Sequence, residues 1–229
     1  QSTYSNVGGF GPWGGCEIQN ITDMYPSGAA QGVTSSDYGY AVDISGDYAI
    51  VSAPGESHIP TESINAGSAT IYKRNATSGE WEVQAKFYDK SPSSGEFWGQ
   101  GVGISGNYAV VSTINEDTLG FTDVGSVTIL KRNSSTGQWA FHSKLINNNN
   151  KDYLNFGWSI AIDGDYLIVG AIGDVINGVI AGSASIFKRN SSTDVWELQQ
   201  KIIHPNYASL DNFGWSVDID GDHAIVGAP

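Results

Sequence analysis

Four kinds of residue pattern in this chain could carry chemistry, and each is weighed by the setting that chemistry needs. Gly157-Trp158-Ser159 and Gly214-Trp215-Ser216 place a serine where a nucleophile elbow would expose one. Both lack the second glycine of that elbow, and both sit in strand-like alternation rather than at a strand-to-helix turn. Their serines are therefore expected as packed strand residues. Gly101-Val102-Gly103-Ile104-Ser105-Gly106 fits G-x-G-x-x-G, but phosphate binding needs a helix N-terminus after the loop. A hairpin is expected there instead. His58, His142, His204 and His223 show neither i, i+4 nor His-x-His spacing, so no zinc site is expected. Asp163 with Asp165, and Asp220 with Asp222, are paired carboxylates whose simplest role is in turns. No catalytic residue, metal ligand or cofactor is expected, and the chain does not read as an enzyme.

Two further patterns point outward. Trp-x4-Lys occurs three times, as Trp81 with Lys86, Trp139 with Lys144, and Trp196 with Lys201. These tryptophans either stack on sugar rings or cover an outer sheet edge, with the lysines discouraging edge-to-edge pairing. Asn20-Ile21-Thr22, Asn75-Ala76-Thr77, Asn133-Ser134-Ser135 and Asn190-Ser191-Ser192 are glycosylation sequons. Three of the four fall at one equivalent hairpin tip, where a glycan would meet solvent. Asn20, Asn75, Asn133 and Asn190 are the candidate attachment sites.

The positions of these residues are set by a repeat. The run Tyr38-Gly39 through Ala53-Pro54 returns at Trp98, at Phe156 and at Phe213, with aligned glycines 60, 58 and 57 residues apart. A fixed period of this kind decides architecture before any local reading. A second block, Gly67-Ser68-Ala69-Thr70-Ile71-Tyr72-Lys73-Arg74-Asn75, recurs at Gly125–Asn133 and Gly182–Asn190. Within each copy the first strand alternates, as in Phe213, Trp215, Val217 and Ile219 against Gly214, Ser216, Asp218 and Asp220. Gly-Asp or Gly-Asn then suits a two-residue hairpin turn. Strands are expected near 40–45, 48–53, 68–73 and 81–87 and at their equivalents. The reading is an all-β fold, a β-propeller-like array of four-stranded antiparallel blades. Blades stacked face to face bury both faces, so the large column should seat against a neighbour's Gly, Ser and Ala.

Composition agrees: 29 Gly, 7 Trp and 15% charged residues describe a turn-rich β chain. A net charge of −13 argues against nucleic acid and anionic membrane surfaces as partners. No apolar run approaches the ~20 residues of a membrane helix, so no membrane insertion is expected. The single Cys16 excludes an intramolecular disulfide framework. The chain opens on Gln rather than Met, which fits either a mature form or a fragment.

The repeat resembles the FG-GAP family, with Phe213-Gly214 to Gly227-Ala228-Pro229 as the full motif. Phe156-Gly157 to Gly170-Ala171 is close, Tyr38-Gly39 to Ser52-Ala53-Pro54 is altered at one end, and Trp98-Gly99 to Ser112-Thr113 is weakest. The resemblance spans about residues 37–229. It implies a propeller of the integrin α type, used in extracellular adhesion, and similar repeats occur in lectins. Calcium-binding members carry an Asp-x-Asp/Asn-x-Asp-Gly loop between the first two strands. Here that loop is a two-residue turn, too short for the six to eight oxygens calcium takes, so no calcium site is carried over.

Four copies are expected: 37–90, 91–150, 151–204 and an incomplete 205–229, preceded by an N-terminal segment, 1–36. That segment either completes the last blade or pairs with a neighbour, with Phe10 and Trp13 as possible assembly anchors. The functional expectation is a non-catalytic extracellular scaffold, secreted or on a cell surface, for adhesion or for surface or filament assembly. Its partners would be other protein chains, including copies of itself, or glycans. The alternative is a carbohydrate-binding lectin.

Overall fold

The computed structural model describes residues 36–58, 63–118, 120–147 and 151–229. Asn20, Phe10, Trp13 and Cys16 lie outside them.

The described residues fold into sheets whose strands follow one another in sequence. The first sheet contains β1 (Val42–Ser45), β2 (Tyr48–Ala53), β3 (Ser68–Arg74) and β4 (Trp81–Phe87), in the order β1-β2-β3-β4. The second contains β5 (Val102–Ser105), β6 (Tyr108–Thr113), β7 (Ser126–Arg132) and β8 (Trp139–Ile146), again in chain order. The third uses β9 (Phe156–Asp163), β10 (Tyr166–Ala171), β13 (Ser183–Asn190) and β14 (Val195–Ile202). A small hairpin that the repeat pattern did not foretell, β11 (Val175–Ile176) and β12 (Val179–Ile180), sits in its β10–β13 link. A fourth, two-stranded sheet holds β15 (Ser216–Asp220) and β16 (His223–Gly227). All named pairs are antiparallel, and the described residues contain no helix.

Each first hairpin closes on two residues, Ser45 facing Tyr48, Ser105 facing Tyr108 and Asp163 facing Tyr166. Glycine holds the first central position with positive φ, 58° at Gly46 and 57° at Gly106. That is the turn whose twist matches the flanking strands.

Sheets stack through the alternation read in the sequence. Val102 and Ile104 of the second sheet are buried in one cluster with Ile50 and Ile71 of the first. Gly101 and Gly103 face Ile160 and Ile162 of the third sheet, at 3.1 and 3.0 Å from where a Cβ would stand. The G-x-G-x-x-G run is thus a strand made thin for its neighbour's isoleucines. On the first sheet the counterparts of Val102 and Ile104 are Val42 and Ile44, and both are 62% exposed.

Successive sheets are also joined by backbone. The N–H groups of Trp98, Phe156 and Phe213 donate to the carbonyls of Ala66, Val124 and Ala181 in the preceding sheet. Their side chains are 0%, 1% and 8% exposed. Gly125 is pressed against this joint. It has φ 79°, and a Cβ there would lie 2.2 Å from the Phe156 carbonyl oxygen. Gly157, with φ 98°, would place a Cβ 2.8 Å from Ser112 Cβ and 3.0 Å from the Ser126 carbonyl oxygen. The Phe-Gly pair is therefore an aromatic plug followed by a residue that must lack a side chain.

Candidate functional site

Some of the residues singled out in the sequence lie at the joints between sheets, and the rest at turns and hairpin tips. A small polar contact lies at the inner strands of each repeat, an acid–lysine cluster in each of the first three, and a cation–aromatic clamp near the outer strands of the first two joints.

The inner contact is a hydroxyl that changes sides. Ser52 Oγ accepts from the Ala41 N–H at 3.0 Å, and Ser112 Oγ from the Gly101 N–H at 2.8 Å. In the third repeat the serine position is Gly170 and the small position is Ser159, whose Oγ donates to the Gly214 carbonyl at 2.8 Å. The fourth repeat likewise has Gly227 beside Ser216, whose Oγ lies 2.4 Å from where a Gly227 Cβ would stand. One hydroxyl fills each site, from one strand or the other. Ser159 is committed to this packing, which accounts for the Gly-Trp-Ser pattern without a nucleophile.

The acid–lysine cluster uses residues that the sequence reading missed. Glu56, Glu116 and Asp174 occupy equivalent places after the second strand of each repeat. Lys86 Nζ meets Glu56 at 2.6 Å, Lys144 meets Glu116 at 2.7 Å and Asp89 at 2.9 Å, and Lys201 pairs with Asp174. Ser68, Ser126 and Ser183 donate to the same three acids. Asp174 is fully buried. Burial works against the Lys144 ammonium, but its hydrogen bonds to Glu116 and Asp89 outweigh this and raise its pKa. The only sequence signal for the acids is their alignment three residues after Ala53, Thr113 and Ala171.

The lysines of Trp-x4-Lys are thus tied down by acids of their own repeats, and Lys144 by Asp89 of the preceding repeat as well, contrary to the expectation of an edge-guarding role. The tryptophans differ from expectation too. Trp139 and Trp196 are 7% and 5% exposed and wedge against the preceding sheet. Trp139 meets Tyr48 edge-on at 5.8 Å, and Trp196 meets Tyr108 at 5.6 Å. Trp139 Nε1 donates to Gln84 Oε1, whereas Trp196 Nε1 is buried without a partner. A register shift in each outer pair, between Ile129 and Leu130 in the second sheet, explains the spacing. Trp139 lies opposite Arg132 and Lys144 opposite Thr128, four residues apart and so on one face.

In the clamp, Tyr48 lies under Arg132 of the next sheet, 4.5 Å from the ring centroid, and Tyr108 lies under Arg189 at 4.8 Å. Lys73 and Lys131 approach the same two rings from their own sheets at 5.9 and 5.6 Å. Arg189 also pairs with Asp165 at 2.5 Å and Asp194 at 3.1 Å. The paired carboxylates have separate duties: Asp163 Oδ2 accepts from the Gly221 N–H at 2.8 Å, and Asp222 pairs with His223 at 2.6 Å. His142 Nε2 lies 2.9 Å from the Asp194 carbonyl, His58 packs on Tyr88 and His204 on Phe213. Among the described residues no three His, Cys, Asp or Glu side chains gather to hold a metal.

Asp194 receives Lys131, Tyr108 and Arg189 together. Burial pushes its carboxyl up, but these hydrogen bonds prevail and hold it down at about 2. A depressed carboxylate stabilises the fold above its unfolded value near ~4 and loses that contribution as pH falls through the folded one. Asp194→Asn should therefore cost about 1–2 kcal/mol at pH 7, allowing for partial solvent screening. The gap between variant and wild type should close between about pH 4 and pH 2 in urea titrations. A pH-independent gap would show that the carboxylate charge is not the stabilising group.

Asn75, Asn133 and Asn190 sit at equivalent hairpin tips, where Asn133 and Asn190 are exposed and Asn75 is half-buried. In each the side-chain oxygen accepts from backbone N–H groups two and three residues on, as Asn133 does from Ser135 at 2.9 Å and Thr136 at 3.0 Å.

These features define a propeller-like, all-β repeat protein whose candidate chemistry is absorbed by packing between successive sheets. A family model for the FG-GAP repeat matches residues 28–72, 139–187 and 196–229, more than half of the chain. The chain belongs to the FG-GAP repeat family. No curated protein matches its sequence. Among solved structures, Sqt1 from Saccharomyces cerevisiae is similar at TM-score 0.47 and 11% identity, over 76% of this chain and 38% of that one. A protein with unknown function from Bacteroides fragilis is similar at TM-score 0.27 and 10% identity, over 69% of this chain and 83% of that one. The chain thus spans 38% of the length of Sqt1. No helix among the described residues is long and apolar enough to cross a membrane.

Proposed function

We propose that this chain is a non-catalytic extracellular scaffold that binds other protein chains, copies of itself included, through the faces of its sheets. FG-GAP repeats are typical of surface proteins and are generally non-enzymatic, which agrees with this reading. The observation that carries it is the state of Tyr40, Val42 and Ile44, which are 56%, 62% and 62% exposed on the first sheet. The corresponding valine and isoleucine of the second sheet, Val102 and Ile104, are buried against the first sheet at 8% and 2% exposed. A β face of this composition suits another sheet. Light scattering at rising concentration should give a mass above that of one chain, and Ile44→Asp should return it to one chain. A single-chain mass for the wild type at every concentration would overturn the reading.

The hairpin tips fit the same extracellular setting. Asn75, Asn133 and Asn190 are proposed as glycosylated, with Asn20 a fourth sequon outside the described residues. In protein from a glycosylating host, enzymatic deglycosylation should lower the intact mass by whole glycans. An unchanged mass means that the asparagines serve only their turns.

A lectin is the second reading. Trp158 and Trp215 meet with ring centroids 5.0 Å apart and planes tilted by 48°, and Trp215 is 45% exposed, which offers an aromatic face to a sugar ring. Of the Trp-x4-Lys tryptophans, Trp139 and Trp196 do not, since they are buried, and Trp81 is half-buried. Glycan-array binding lost in Trp215→Ala would favour this reading over the scaffold.

A further inference from the structure

Between the second and third sheets lies a cleft of about 460 Å³ whose lining holds Lys131, Arg132 and Arg189 and no carboxylate. That is an unusual gathering in a chain of net charge −13. The remaining lining is polar and includes Asn107 and Asn133.

The three cations are not equally neutralised. Arg189 is held by Asp165 and Asp194, and Lys131 by Asp194. Arg132 has only neutral partners: the Tyr48 hydroxyl at 3.0 Å and the Asn107 side-chain oxygen. Its Nε is buried and makes no hydrogen bond. The cause is a single departure in the repeat. The second turn residue is Asp47, Asp165 and Asp222 in the other copies, but Asn107 here. In the third sheet that aspartate clasps the equivalent arginine. The amide at 107 keeps the hydrogen bond and removes the countercharge. The Arg132 guanidinium lies over Tyr48 in the first joint but reaches Asn107 at the cleft, and this uncompensated charge, in a lining that also holds a lysine and a second arginine, is suited to an oxyanion.

We propose that this cleft binds an oxyanion, a sulfate or carboxylate, carried on an acidic sugar or free in solution. It needs neither the scaffold nor the lectin reading above.

Isothermal titration with sodium sulfate, against sodium chloride at matched ionic strength, tests it. The wild type should bind one sulfate with a dissociation constant on the order of millimolar. Asn107→Asp restores the acid of the sibling repeats and should weaken binding at least tenfold while leaving the melting temperature in chloride near wild type. Arg132→Gln should weaken binding likewise, and Asn107→Asp keeps the test decisive if Arg132→Gln does not fold. A sulfated or uronate-bearing disaccharide that binds at least tenfold tighter than sulfate, with the same sensitivity to Asn107→Asp, assigns the site to an acidic sugar. Equal affinity assigns it to the free anion. No sulfate heat, or equal heat in wild type and Asn107→Asp, overturns the proposal.

Discussion

Gly125→Ala should remove more than about 4 kcal/mol of stability, enough to unfold much of a domain of ordinary stability. The added Cβ would stand 2.2 Å from the Phe156 carbonyl oxygen, and neither partner is a flexible side-chain end. Backbone would have to move at the point where the Phe156 N–H donates to the Val124 carbonyl. The positive φ of 79° adds a strain of about 1 kcal/mol for any L side chain. Gly46→Ala separates the two effects. Gly46 has φ 58° but nothing within 4 Å of its Cβ position, so it should show the strain alone. Urea unfolding of both variants, with the slope checked for constancy, measures the difference. A Gly125→Ala protein no less stable than Gly46→Ala would mean that the joint is loose, and the account of the Phe-Gly motif would fall with it.

Lys201→Met should cost about 3–5 kcal/mol, the range for stripping one partner from a buried ion pair. Asp174 is fully buried, whereas the Lys201 side chain is 33% exposed, so the carboxylate bears the loss. Ser183 still donates to Asp174 but supplies no charge. Asp174→Leu with Lys201→Met should recover much of the stability, since replacing both ions by apolar groups removes the desolvation burden. Thermal or urea unfolding of the two singles and the double completes the cycle. A Lys201→Met variant within 1 kcal/mol of wild type, an order-of-magnitude threshold, would show that the pair is a solvated contact.

What the sequence disclosed, and what it hid, divides along physical lines. The period, the two-residue turns and the large-against-small stacking were legible because each is a local pattern of residue types. The expected strand at 81–87 matches β4, and that at 48–53 matches β2. Pairings across a joint were not legible. Ser112, where the full motif has glycine, looked like decay, yet Ser112 beside Gly101 and Ser159 beside Gly170 each supply one hydroxyl from opposite strands, and that of Ser159 reaches across to the Gly214 carbonyl. Trp139 read as an edge cover because its five-residue distance from Lys144 hides a bulge. Glu56, Glu116 and Asp174 escaped notice because they sit in loops between the recurring blocks and differ in residue type. Sequence repeats report what each sheet does for itself; partner residues some 55–60 positions away report what it does for the next.

The joints also bear on how the chain acquires its structure. Each complete sheet pairs strands of one repeat, and among the described residues the substantial contacts between sheets link successive repeats. A ribosome releasing this chain would deliver a finished sheet before the following aromatic plug emerged. Trp98, Phe156 and Phe213 would each then dock on a surface already built. Order would spread along the polypeptide in the direction of synthesis, with each repeat as template for the one behind it.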